Sequence, residues 1–161
     1  MAPKLSYLID VIGLDVADVA AAAGGWLFDR VMDGWTATVL VSGEVDERAL
    51  RIIGAQAQRV DALPGLTTRR PEALAVSAAV LRAVPQVREH VAQLLEIGDT
   101  EVRVWGGQTA DGRPLRHRLS TAARAFKAQA LLAAGGGGRI TDSEDFHRVL
   151  AAGAGRLEVV S

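Results

Sequence analysis

Apolar positions recur along the chain at spacings of three to four in some stretches and of two in others, and the order of these stretches predicts the architecture. Residues 5–12 fit a short strand or a helical turn equally. Asp15 then stands where it caps a helix running to about Asp33, with Val16, Val19, Ala20, Ala23, Leu27 and Val31 on one face. Gly34 suits its C-terminal stop. Gly24 and Gly25 fall in its middle, at a cost of roughly 1 kcal/mol each relative to alanine. Either another element packs very close there or the helix divides. The stretch from Trp35 to Val41 is β-branched and aromatic and reads as a strand, ended by Ser42 and Gly43. Asp46 caps a short helix from Glu47 to Ile53, Gly54 closes it, and residues 58–63 form a second strand before the Pro64–Gly65 turn. Strand, short helix and strand in that order imply a crossover unit with parallel strands.

Pro71 opens the longest helical rhythm, through Leu74, Ala78, Leu81, Val87, Val91 and Leu94. Pro85 lacks a backbone donor, so the stretch is expected to kink or to be two abutting helices with Pro85 in a first turn. Gly98 stops it, and residues 101–105 alternate strictly as a third strand. A polar loop over residues 106–114 precedes a helix from about Ser120 to Ala133, with Ala123, Phe126, Ala130 and Leu131 inward. Residues 134–139, with four consecutive glycines, read as a flexible loop, since glycine loses the most backbone entropy on ordering. Thr141 or Ser143 would cap a last helix to about Ala152, and residues 156–160 form an edge strand or a loose tail. The expected fold is a single α/β domain over residues 1–161. It is a small three-layer sandwich whose short, mostly parallel sheet of three or four strands is flanked by helices.

Composition narrows the setting. The 161 residues are 49 % hydrophobic and 23 % charged, a globular balance with enough chain to bury a core. The absence of cysteine removes disulfides, thiolate metal sites and a cysteine nucleophile, and fits a reducing compartment. No run reaches the about 18 apolar residues of a membrane span, and the N-terminus lacks a signal-peptide pattern, so the expectation is a cytoplasmic protein with no membrane association. Sixteen of eighteen basic residues are arginines, a bias that high-GC coding explains better than function does. Net charge is −1 but polarised: residues 1–50 carry −5 and residues 103–139 carry +6.

The sequence carries few signatures of chemistry. The glycine run continues as Arg139, Ile140 and Thr141, without the lysine and spacing of a phosphate-binding loop. The strand ending at Val41 is followed by one glycine where a dinucleotide fingerprint needs three, and it lacks the terminal aspartate of a phosphoacceptor. His90, His117 and His147 show no metal-binding spacing, and His90 is expected on a partly exposed helix side. Asp142, Ser143 and His147 could be imagined as a nucleophile set, but a serine there is better explained as a cap. The acidic pairs Asp29 with Asp33 and Asp46 with Glu47 read as solvated helix charges. No catalytic residue, metal or cofactor is assigned.

The basic segment is the signal that remains. Arg113, Arg116, His117 and Arg118 cluster, and Arg124 and Lys127 continue them on one helix face, a stripe able to neutralise several phosphates unless it pairs with the acidic first fifty residues. Seven aromatic residues leave little for base stacking. The leading expectation is therefore a non-enzymatic interaction or regulatory domain that binds a protein or polyanion, nucleic acid included, through residues 113–127. An alternative is a small α/β enzyme or ligand-binding domain with its site at the strand ends, lined by Ser42, Gly43, Trp105, Gly106 and Gln108, because open α/β sheets bind ligands at that edge. Trp35 and Trp105, at strand ends, are otherwise core plugs. A third alternative is a structural subunit of a homo-oligomer, packed through small residues such as Ala20 to Ala23.

Overall fold

The computed structural model describes residues 7–59, 65–109, 112–149 and 159–160. The elements are β1 (Leu8–Gly13), α1 (Val16–Met32), β2 (Thr36–Val41), α2 (Glu47–Ile53), β3 (Gln56–Arg59), β4 (Ala73–Ser77), α3 (Ala78–Ala83), α4 (Pro85–Ile97), β5 (Glu101–Trp105), β6 (Gln108–Thr109), β7 (Arg113–Arg118), α5 (Thr121–Ala133), β8 (Ser143–Val149) and β9 (Val159–Val160). Seven strands form one sheet in the order β3-β2-β1-β4-β5-β8-β7, and β6 pairs with β9 in a separate ribbon. Strands β1 to β5 are parallel, while β8 runs antiparallel to both β5 and β7. Helices α1, α2 and α5 pack in one layer around Trp26, Leu27, Leu50 and Ala130. Helices α3 and α4 cover the other face around Leu81, Val87, Val91 and Leu94. The three-layer α/β arrangement thus stands, with a sheet larger than the three or four strands expected and of mixed direction.

Two departures account for the larger sheet. Residues 73–77 read as the start of a helix, yet they are β4, buried along their whole length between β1 and β5. A strand covered on both faces needs only apolar side chains, so alanine and leucine suffice there despite weak strand propensity. Residues 143–149 form β8 instead of the final helix, with Glu144 and Phe146 turned toward the α1 layer. Residues 113–118, assigned to a loop and a basic cluster, are the edge strand β7. The strand expected over residues 58–63 begins earlier, as β3, and residues 60–64 lie outside the described segments. Of the tail, Val159 and Val160 are placed, in the ribbon with β6.

Local signals held where caps fix them. Asp15 accepts from the Asp18 N–H at 2.7 Å, and Ser120 Oγ accepts from the Ala123 N–H at 3.0 Å. Pro85 occupies the first turn of α4, abutting α3. Helix α1 runs unbroken through Gly24 and Gly25, and close packing is the reason for the glycines. A Cβ on Gly25 would lie 2.3 Å from the Leu119 side chain.

The same turn of α1 holds the most buried ion pair. Glu144 accepts from the Gly25 and Trp26 N–H groups at 2.8 and 2.7 Å. Lys127 Nζ donates to Glu144 at 2.8 Å and to the Ala21 carbonyl at 2.7 Å. Ala21 C=O and Gly25 N–H are the groups a regular helix joins to each other. Here Lys127 and Glu144 bridge them, tying α1 to α5 and β8. Burial pushes the Glu144 carboxyl up from its ordinary value, and Lys127 and the two amides act against that rise.

Candidate functional site

The carboxyl ends of the parallel strands collect the strand-end residues of the sequence reading. Strand order reverses between β1 and β4, since β1 leads to β2 on one side and β4 opens the other. Ligands of open α/β sheets bind beside such a reversal. The β1–α1 turn there is tightly built. A Cβ on Gly13 would fall 2.5 Å from Val19, 3.2 Å from Asp18 Oδ2 and 3.3 Å from the Trp105 ring. Asp18 accepts from the Leu14 N–H at 3.1 Å and from Trp105 Nε1–H at 3.2 Å, so strand β5 and the first turn of α1 orient one carboxylate. Trp105 is buried, as expected of a core plug, but its N–H is spent on this contact. Ser77, at the end of β4, caps α3 by accepting from the Ala79 N–H at 3.2 Å.

Beside this turn an open cavity of about 530 Å³ is lined by Asp15, Val16, Ala17, Glu44, Val45, Asp46 and Ala134. Three of these residues are acidic, and none of the described lining residues is basic. Ser42 is exposed and Gly43 half-buried in the β2–α2 loop that leads to this wall, and Gly106 is exposed just past Trp105. Gln108 lies in β6, against Val160 of β9. Of the five strand-end candidates, Trp105 engages the turn directly. Asp15, Asp18 and Glu44 were missed, because a capping role accounts for Asp15 by itself and nothing in the sequence links Asp18 to Trp105, 87 positions away.

The basic segment does not form an open stripe. Lys127 is buried on Glu144. His117 Nε2 lies 2.8 Å from Asp29, Arg116 2.8 Å from Asp145, and Arg124 3.3 Å from Asp142. Arg113 and Arg118 are exposed at the two ends of β7. Asp29, read as a solvated helix charge, is instead half-buried and bonded to His117 and Ser120. His90, expected to be partly exposed, is wholly buried under the α4 layer. Asp142, Ser143 and His147 belong to a loop and a strand, with no shared helical face.

A hydrolytic metal site needs three or more donors converging on one point. Among the described residues no three histidine, aspartate or glutamate side chains are gathered in that way. The described donor set at the carboxyl edge therefore does not fit a resident metal ion.

No protein family and no curated protein sequence matches the chain. Solved structures do match. A deacetylase triple mutant of the teicoplanin biosynthetic pathway superposes with a TM-score of 0.63 at 12 % identity, covering 89 % of this chain and 97 % of that one. The fold is deacetylase-like. GalB, the 4-carboxy-2-hydroxymuconate hydratase of Pseudomonas putida KT2440, matches with a TM-score of 0.58 at 14 % identity over 89 % and 96 % of the two chains. The N,N'-diacetylchitobiose deacetylase of Pyrococcus horikoshii matches with a TM-score of 0.53 at 13 % identity over 81 % and 70 %. At such identities the likeness establishes the fold. It also overturns the expectation of a non-enzymatic regulatory or nucleic-acid-binding domain, because this deacetylase-like fold is carried by enzymes in all three of these matches. Within the basic segment Arg116, His117, Arg124 and Lys127 have acidic partners of the same chain, while Arg113 and Arg118 stay exposed.

Proposed function

We propose that the chain is a small-molecule enzyme domain whose substrate sits at the carboxyl edge of β1 and β2, against Asp15 and Glu44. One observation carries the reading: a cavity of about 530 Å³ at the carboxyl ends of β1 and β2, lined among others by Asp15, Glu44 and Asp46. Its volume falls within the range of small-ligand sites. Three carboxylates repel an anionic substrate and favour a neutral or cationic one bearing hydroxyl, amide or amine groups. Hydrolysis of an amide on such a molecule suits this lining. Asp15 takes a proton from water, the water oxygen bonds to the carbonyl carbon, the carbon–nitrogen bond breaks, and the proton passes to the leaving amine. Asp18, held by Trp105 and the Leu14 amide, fixes the turn that presents Asp15.

Thermal shift with N-acetylglucosamine, glucosamine and a dicarboxylate of muconate type tests the reading, with acetate release as the catalytic readout. A ligand at about 100 times its dissociation constant adds about 2.7 kcal/mol of stability. The two sugars are expected to stabilise the protein and the dicarboxylate to leave it unchanged. Asp15→Asn, which keeps a capping oxygen and removes the charge, is expected to abolish acetate release while the fold persists. Stabilisation by none of the three, or by the dicarboxylate alone, overturns the reading.

A further inference from the structure

A second cavity lies away from the strand ends, where the last turns of α1 meet the junction of β7 and α5. It holds about 460 Å³ and is lined by Phe28, Asp29, Arg30, Met32, Asp33, His117, Ser120 and Ala122. Serine, histidine and aspartate meet here, but not as a nucleophilic relay. Asp29 is the central member: Oδ2 lies 2.8 Å from His117 Nε2, and Oδ1 accepts from Ser120 Oγ at 2.6 Å. Ser120 Oγ also accepts from the Ala123 N–H, so its hydroxyl is consumed by Asp29 and by the cap of α5. A serine so held has no base of its own.

The histidine is left with one open role. Hydrogen bonds from Ser120 and His117 hold the Asp29 carboxyl below its ordinary value against the opposing effect of burial, so Asp29 is an ionised acceptor. The hydrogen between Asp29 and His117 therefore resides on Nε2. With Nε2–H turned to Asp29, Nδ1 is the acceptor of that tautomer, and among the described residues nothing donates to it. Most of the surface exposed to the cavity is apolar. Phe28 is stacked on Phe126 at 4.6 Å, and Met32 is 69 % exposed at the rim. Arg30 lies 3.6 Å from Asp33, which offsets the one charge with the other.

We propose that this groove is a ligand site for a neutral molecule with a flat apolar body and one hydroxyl, of the phenol class, whose O–H donates to His117 Nδ1 while the body lies against Phe28 and Met32. Cavities of this size with mostly apolar exposed surface and a few placed polar groups are the common form of small-molecule sites. The proposal is independent of the carboxyl-edge reading, since the two cavities share no residue.

The test is NMR titration of the full chain, with 15N-labelled histidine, by 4-ethylphenol and by ethylbenzene. 4-Ethylphenol is expected to shift the His117 Nδ1 resonance and to bind at least about tenfold tighter than ethylbenzene, the effect of one well-made hydrogen bond. His117→Phe keeps a ring and removes the acceptor, and it should erase that preference. Met32→Lys, at an exposed position, should weaken both probes several-fold while leaving the Asp29–His117 pair intact. Equal affinity for the two probes, no shift at His117, or unchanged binding in Met32→Lys would overturn the proposal.

Discussion

Replacing Lys127 by methionine tests the buried clamp on α1 most directly. Lys127 and Glu144 are 3 % and 4 % exposed, and the carboxylate already accepts from two amides of α1. Methionine fills the same space without charge, so the variant isolates the loss of the cation. Removing one partner of a buried pair costs about 3–5 kcal/mol, because the remaining charge is left uncompensated. That is a large part of the roughly 5–15 kcal/mol that stabilises a domain. The cost must also depend on pH. Burial already raises the Glu144 carboxyl above its ordinary 4.5, and without Lys127 nothing cationic opposes the rise. Between the ordinary and the raised value the folded chain binds more protons than the unfolded one. Stability therefore increases as pH falls through that window, by at most about 1.4 kcal/mol per pH unit. The variant's deficit is accordingly greatest at neutral pH and shrinks toward pH 5. Urea denaturation of both proteins at about pH 7.5 and pH 5 reads the two deficits. A deficit below about 1 kcal/mol at the higher pH, the range of an exposed pair, would refute the clamp. So would a deficit equal at both pH values.

Other expectations follow from neighbouring contacts. Gly25→Ala gains helix propensity yet should lose about 1–3 kcal/mol by overpacking Leu119, a fall of several degrees in Tm that Leu119→Ala in the same chain partly relieves; an unchanged Tm refutes it. Burial holds the His90 imidazole below its ordinary 6.5, so the unfolded chain takes the proton first and stability drops as pH falls below that value; His90→Leu should flatten the Tm profile there, and parallel profiles would count against it. Arg69→Ala strands Asp10, buried in the centre of β1 and bonded through both its oxygens, at a cost of about 3 kcal/mol in urea melts; Arg69→Lys should recover only part, having lost the two-pronged contact.

How much of this was legible follows the range of each signal. Helices α1, α2 and α5 and strands β2 and β5 declare themselves locally, through caps at Asp15, Asp46 and Ser120 and through unbroken periodicity. Strand β4 does not, because Ala73 to Ser77 form an apolar run compatible with either state, and the decision is made by the neighbours β1 and β5. Strand β8 was hidden by Glu144, a charge on the inward face whose partners Gly25 and Lys127 are distant in sequence. At the candidate site, Ser42, Gly43, Trp105 and Gly106 were visible as the residues that end good strands. In the second cavity the pairing of Asp29 with His117 was not, since 88 positions separate them.

The polarised charge along the chain takes a different meaning once the partners are placed. The basic stretch is answered largely by its own neighbours: Asp142, Glu144 and Asp145 take Arg124, Lys127 and Arg116, and Asp29 alone of the first fifty residues joins them, at His117. Asp15, Glu44 and Asp46 are left lining a cavity to which, among the described residues, no basic one contributes. The imbalance that pointed to a polyanion on one side therefore becomes an excess of negative charge on the other, at the carboxyl edge. An amino sugar carrying an ammonium group gains from that field, and its N-acetylated form does not. Raising salt from about 0.1 M to 1 M shortens the screening length from about 10 Å to 3 Å. Glucosamine should then lose affinity steeply while N-acetylglucosamine holds constant, as calorimetric titration at the two salt concentrations would record. Identical salt dependence for both sugars would mean that the carboxylates do not face the bound ligand, and the placement of the site would have to be abandoned.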